Sequence, residues 1–248
     1  MSRLKNICLL YNCDCFSYLR TLPNKYVDLV IIDPPYEISR DTRFMTGKIK
    51  EDDTCKFRIS MDFGEWDKNF AGLDYVIKEC YRVLKKHGTI ICFYDLWKIT
   101  TLKLYLENAG FHQIRFIEWI KTNPIPINSK LNYLTNAREI AVLGVKNGKP
   151  TFYSEYDNGI YNFGICQDKG RFHPTQKPVA LLKELIEKHS EKNDLVLDCF
   201  AGSASTAVAA YQSNRNFIGC EISKEYYKKS IARLKDIGAI KNRQIIVM

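Results

Sequence analysis

Short apolar runs rich in Val, Ile, Phe and Tyr recur along the chain at 7–11, 27–32, 89–94, 115–120, 139–145, 195–200 and 216–221. They lack clean alternation between apolar and polar positions, as expected of strands covered on both faces. Helical spacing separates many of them. Tyr75, Val76, Cys80, Val83 and Leu84 recur every few positions and run into a basic, glycine-ended stop, Lys85-Lys86-His87-Gly88. Further helices are predicted at 96–109 before Gly110, at 179–189 after Pro178, at 203–212 and at 224–234. Strands alternating with helices of this length predict an α/β fold: a mostly parallel sheet with helices on both faces.

Two segments break the rhythm. Residues 37–65 are polar, with six basic residues against seven acidic ones. Residues 123–172 are rich in Asn, Tyr, Pro and Gly, interrupted only by the apolar run at 139–145. Long irregular stretches inside a compact domain point to binding loops.

Composition narrows the class. At 46% hydrophobic residues the 248-residue chain is not a disordered polyelectrolyte. No apolar run approaches the roughly 18 residues of a membrane helix, and the N-terminus does not read as a signal peptide. The nine cysteines include no Cys-x-x-Cys pair and no Cys/His set with zinc spacing. They read as reduced, buried thiols of a cytoplasmic protein, with no metal site. The net charge of +9 points to a polyanionic partner, without separating nucleic acid from acidic lipid.

The strongest chemical signal is Asp33-Pro34-Pro35-Tyr36, directly after the apolar run at 27–32. Two prolines end the strand in a stiff turn, where the Asp33 carboxylate and the Pro34 carbonyl can face one point. Ligands of open α/β sheets bind at such carboxyl ends. Two acceptors beside an aromatic ring suit an exocyclic amine on a nucleobase, whose lone pair is otherwise delocalised into the ring. Donating both hydrogens would favour a tetrahedral nitrogen, and Tyr36 would stack on the base, worth roughly 1–3 kcal/mol. Taken alone, the tetrapeptide is also compatible with a stiffened strand end and a helix-capping Asp.

A second strand leads into Asp198-Cys199-Phe200-Ala201-Gly202-Ser203-Ala204-Ser205-Thr206. Gly202 lets backbone approach a ligand closely, but the other glycines of the dinucleotide fingerprint are missing. Glu221 ends the next strand, where an acid can take a ribose hydroxyl pair. An adenosine-containing cofactor fits; so does a plain β–α turn with an ordinary strand-end acid.

Together these residues resemble the β-group amino DNA methyltransferases, which use S-adenosylmethionine and are largely adenine-N6 specific. The catalytic tetrapeptide comes first and the glycine loop late, the permuted order of that group. His173-Pro174-Thr175-Gln176-Lys177-Pro178 matches a further motif of the family, and 63–67, 121–124 and 218–221 are similar to it as well. The resemblance spans roughly 7–237. It implies a Rossmann-like S-adenosylmethionine-dependent methyltransferase fold over a single domain, 1–248. Residues 37–65 would be a loop near the active site and 123–172 an inserted target-recognition region.

By the same resemblance Asp33, Pro34 and Tyr36 form the target-amine site. Asp14, Cys15, Asp33, Thr175, Lys177, Phe200, Gly202, Ser203 and Glu221 line the cofactor, with Asp14 and Cys15 at its adenine and Thr175 and Lys177 near its methionine carboxylate. Cys199 stands where the family has proline, and Ala204 where it has a second glycine; the Ala204 methyl is expected to crowd the cofactor or shift the loop. The implied reaction is direct methyl transfer to adenine N6. Cytosine-N4 methylation and a DNA-binding module without turnover are the alternatives. A Pro-Cys motif for cytosine carbon-5 chemistry is missing.

Charge by segment places the DNA. Residues 121–177 hold eight basic against four acidic residues, and 224–248 hold seven against two. Lys121, Asn123, Lys130, Arg138 and Arg171 are the expected DNA contacts, able to reach base edges or phosphates. The helix at 224–234 reads as a solvated face. Double- or single-stranded DNA, a homodimer and an accompanying restriction endonuclease are partners that the sequence leaves undecided.

Overall fold

Strand β2, Val27–Ile32, is at most 1% exposed at five of its six residues, so both of its faces are covered. It is the core of a computed structural model that describes residues 7–36, 70–124, 135–166 and 170–240. Along the chain follow β1 (Cys8–Tyr11), α1 (Cys15–Thr21), β2, α2 (Leu73–Val83), β3 (Leu84–Tyr94) and α3 (Ile99–Ala109). Then come β4 (His112–Lys121), β5 (Arg138–Val145), β6 (Ile160–Phe163) and α4 (Val179–His189). The chain continues with β7 (Leu195–Asp198), α5 (Ser205–Gln212), β8 (Asn216–Cys220) and α6 (Lys224–Asp236).

These strands form one eight-stranded sheet in the order β1-β8-β7-β2-β3-β5-β4-β6. The run from β1 to β3 is parallel throughout. Strand β5 is antiparallel to both neighbours, and β6 pairs parallel to β4 at the edge. The predicted mostly parallel α/β sheet is therefore present. Leu29 and Ile31 join a core cluster with Leu181 and Leu185 of α4, Ala207 and Ala210 of α5, and Leu234 of α6. Val30 and Ile32 point the opposite way by the two-residue period of a strand and are equally buried. Helices α1, α2 and α3 pack on one another in turn, and α3 touches β4 and β5.

Where prediction and structure part, local causes are visible. Helix α1 was not predicted; it is seven residues long, capped by Asp14, whose Oδ1 accepts the Ser17 N–H at 2.8 Å. Strand β6 was not predicted either: it is four residues long with one buried position, Tyr161. The basic stop 85–88 does end α2, yet it lies within β3 at an irregularity between the pairs Val27–Leu84 and Leu29–Thr89, with 85–87 exposed and Gly88 buried. Strand β5 runs between β3 and β4, so 123–172 contributes a central strand and is not wholly a surface insert.

The chain divides into two units, Met1–Pro34 with Gly72–Met248, and Pro35–Ala71. Every described strand and helix belongs to the first unit. The loop expected at 37–65 and the motif at 63–67 lie outside the described residues. Among the described residues, no helix is long and apolar enough to cross a membrane.

Gly219 in β8 sits opposite Asp198 of β7. A Cβ there would collide with the Asp198 carbonyl and come within 2.7 Å of the Phe217 ring. Gly219→Ala is expected to lose about 1–3 kcal/mol of stability or more, since the strands must part. Denaturant titration checks this; an unchanged midpoint would show that the β7–β8 spacing is looser than described.

Candidate active site

Strands β8, β7 and β2 are adjacent and parallel, so their carboxyl ends leave the sheet at one edge in a row. They deliver Glu221, the loop beginning at Asp198, and Asp33. Residues 188 positions apart in sequence thereby share one sheet edge.

The glycine loop is held from three sides. Glu221 Oε2 accepts the Gly202 N–H at 2.7 Å, and Oε1 accepts the Ser223 N–H at 2.7 Å. Burial pushes the Glu221 carboxyl above its ordinary value. Helix α6 closes the second side: Ser230 Oγ donates to the Gly202 carbonyl at 2.8 Å, and Arg233 donates to the Ser203 carbonyl at 2.9 Å. The helix expected as a merely solvated face thus contributes two loop anchors. On the third side Asp198 accepts from the Thr206 hydroxyl at 2.7 Å and the Phe200 N–H at 2.9 Å. Burial raises the Asp198 carboxyl to about 7, the nearby Asp33 and Glu221 adding to the effect.

Gly202 has φ +51°, and a Cβ there would lie 3.3 Å from His173 Nε2. His173 is buried and meets the Tyr226 ring edge-on at 4.4 Å. Burial draws its pKa down to about 4, so it is neutral at pH 7. The Thr175 N–H and hydroxyl lie 3.3 and 3.2 Å from His173 Nδ1. Ser203 is buried, with its hydroxyl 3.1 Å from that of Ser205. Asp14 caps α1, and the Cys15 thiol beside it is pushed up to about 12 by burial.

Ala204, in the family's second glycine position, takes the left-handed conformation at φ +57° and is fully buried in the core cluster. Its methyl therefore belongs to the core, and the departure is felt as backbone strain of roughly 1–2 kcal/mol. Cys199 is buried too, and desolvation raises its thiol well above the ordinary value.

Around Asp33 the charges alternate. Lys177 Nζ donates to Asp33 Oδ2 and lies 3.1 Å from Glu139 Oε2, a charge-to-charge contact rather than a directed hydrogen bond. Glu139 Oε1 is 2.9 Å from Lys121 Nζ. Burial alone would depress the Lys177 ammonium, but Asp33 and Glu139 outweigh it and raise its pKa. Burial likewise opposes the Glu139 charge, and Lys177 with Lys121 reverses that and lowers its pKa. Glu139 carried no motif in the sequence; its one signal was an acid opening an apolar strand.

The expected DNA contacts separate. Arg138 is exposed at the start of β5. Lys121 is spent on Glu139, and Asn123 Oδ1 accepts the Ile165 N–H at 2.6 Å. Arg171 donates to the His173 and Pro174 carbonyls of its own turn. Lys130 lies outside the described residues. Pro34 is buried at the end of β2, and Tyr36 belongs to the second unit.

A family profile described as DNA methylase matches residues 27–233. The chain belongs to the amino-DNA methyltransferase family. The Type II methyltransferase M.HinfI of Haemophilus influenzae is 31% identical over 90% of this chain and 67% of its own length. The Type II methyltransferase M2.DpnII of Streptococcus pneumoniae is 31% identical over 93% of this chain and 91% of its own length. Among solved structures, the M1.HpyAVI–SAM complex is 28% identical at a TM-score of 0.68, covering 92% of this chain and all of that one. The PvuII cytosine-N4-specific methyltransferase has a TM-score of 0.71 over 97% of this chain and 89% of that one, at 18% identity. That second likeness concerns the fold alone, and the methyltransferase architecture of the sheet is common to both.

Two outcomes follow from the loop. The native state holds the Asp198 proton more tightly than an unfolded chain, so Asp198 subtracts stability progressively from about pH 4 to about pH 7. Asp198→Asn is expected to gain stability relative to the parent as pH rises through that window, by up to a few kcal/mol at pH 7 and above. A pH-independent difference in denaturation midpoints would contradict the raised pKa. In Ala204→Gly, loss of a buried methyl offsets relief of strain, each on the order of 1 kcal/mol. Stability should change little and S-adenosylmethionine affinity by less than about threefold; a tenfold tightening in a binding titration would mean that the methyl crowds the cofactor.

Proposed function

We propose that the protein is a site-specific DNA methyltransferase acting on adenine N6 in DNA, with S-adenosylmethionine as donor. What carries the reading is the shared sheet edge: Glu221, Gly202 and Asp33 come from the adjacent parallel strands β8, β7 and β2. The family membership and the SAM complex of M1.HpyAVI support it. The residues present fit the donor. Glu221 is a buried strand-end acid, and at Gly202 a side chain would close the gap to His173.

S-adenosylmethionine supplies an electrophilic methyl carbon on its sulfonium. Glu221 is assigned to the ribose hydroxyls, Asp14 and Cys15 to the adenine of the donor, and Phe200, Gly202, Ser203 and Thr175 to its ribose and methionine end. Asp33 and the Pro34 carbonyl accept the two hydrogens of the target amine, which aims the nitrogen lone pair away from its ring. Tyr36 is assigned the stacking ring on sequence alone. Fixed acceptors around a nitrogen that becomes positive supply orientation and electrostatic stabilisation. The proton leaves after transfer, so no strong base is needed. The target base must leave its stack, at a few kcal/mol in a duplex. The proposed partner is DNA, and the names of M.HinfI and M2.DpnII as Type II methyltransferases support that reading.

Incubation with labelled S-adenosylmethionine and mixed-sequence DNA should move label into DNA, and nucleoside analysis should find N6-methyladenine. Asp33→Ala is expected to reduce transfer at least about a hundredfold, the scale of losing one oriented acceptor. N4-methylcytosine would select the alternative substrate. Donor binding without transfer would mark a DNA-binding protein that has lost turnover.

A further inference from the structure

The ammonium of Lys177 is committed to two carboxylates. Lys177 follows β6 and precedes α4, and its side chain reaches the sheet edge over the Phe93 ring, 5.1 Å from its centroid. There it sits between Asp33, at the end of β2, and Glu139, at the start of β5. The topology makes this meeting possible. Strand β5 is antiparallel to β3, so its amino end lies level with the carboxyl ends of β2 and β3; Ile140 pairs with Tyr94. Glu139 therefore faces the catalytic edge although it opens its strand.

We propose that Lys177 is a positioning residue for Asp33, held in turn by Glu139, rather than a ligand of the donor's carboxylate. This rests on the methyltransferase reading above. Three consequences of the geometry support it. The bond to Oδ2 fixes the rotation of the Asp33 carboxylate, and so the direction in which it accepts from an amine. The cation also favours the ionised form of Asp33, the reciprocal of the way Asp33 raises the Lys177 pKa. Finally, a lone cation beside Asp33 would repel a nitrogen that becomes positive during transfer. Glu139 offsets that penalty, and the row of Asp33, Lys177, Glu139 and Lys121 carries no net charge. Lys121 faces Glu139 from β4 and completes the row. Among the described residues His173 also lies within the reach of the Lys177 charge, and it is neutral at pH 7.

The test compares wild type, Lys177→Gln, Lys177→Arg and Glu139→Gln in the labelled methyl-transfer assay. Donor Kd and the pH profile of kcat are measured alongside. Lys177→Gln should lower kcat at least tenfold with donor Kd within threefold of wild type. Its acidic limb should move to higher pH, since Asp33 loses the cation that holds its proton off. Lys177→Arg should restore part of kcat and most of the limb. Glu139→Gln should lower kcat by a smaller factor with Kd unchanged. If Lys177→Gln does not fold, Lys177→Arg and Glu139→Gln still separate the outcomes. A donor Kd that rises in step with the loss of kcat/KM would make Lys177 a donor ligand and overturn the proposal. An acidic limb that stays in place would overturn it too. Loss of transfer by wild type itself would sink the underlying methyltransferase reading instead.

Discussion

A parallel sheet covered on both faces leaves no room for chemistry along its strands. Each strand from β1 to β3 spends its backbone groups on its neighbours and its side chains on helices, as Leu29, Val30, Ile31 and Ile32 do within one strand. Polar side chains can accumulate only where strands stop, because there the ladder ends and backbone turns outward. Since β8, β7, β2 and β3 run the same way, their stops coincide at one edge. The site is a consequence of that alignment: Glu221, Asp198 and Asp33 are each the last or next residue of a parallel strand.

Such an edge concentrates acid, and the structure handles the excess in two ways. Glu221 and Asp198 accept hydrogen bonds from the loops they support, from Gly202, Ser223, Phe200 and Thr206. Asp33 and Glu139 are instead bridged by a buried lysine. Removing one partner from such a buried pair leaves an uncompensated charge and typically costs 3–5 kcal/mol. The segment 173–178 is thus tied to the sheet by charge as well as by packing, with His173 wedged between Gly202 and Tyr226. The glycine loop and the turn that bears Asp33 are held by the same segment.

Much of this was legible in the order of residues. The run 27–32 and the helix 179–189 have the boundaries read from hydrophobic pattern, because their apolar positions are dense and proline or charge marks their ends. Two short elements escaped. Helix α1 and strand β6 bury too few side chains to leave a periodic signal, and each is stabilised by a cap or a single neighbour. Segment charge was the least transferable reading. Lys121 and Arg171 add to the positive surplus of 121–177, yet one neutralises Glu139 and the other holds the carbonyls of its own turn. Counting charges cannot tell a surface cation from a structural one.

The sequence by itself determined the sheet and the identities of the groups at its edge. Apolar runs closed by Asp33-Pro34, Asp198 and Glu221 are local patterns, and a strand that ends in a turn must present its last side chains there. The tertiary structure alone decided which of those groups meet. Lys177 and Asp33 stand 144 residues apart, and Glu139 faces them only because β5 runs against β3. Strand direction and crossover are properties of the whole packed sheet. A charge pair made across them leaves no spacing in the chain from which it could be read.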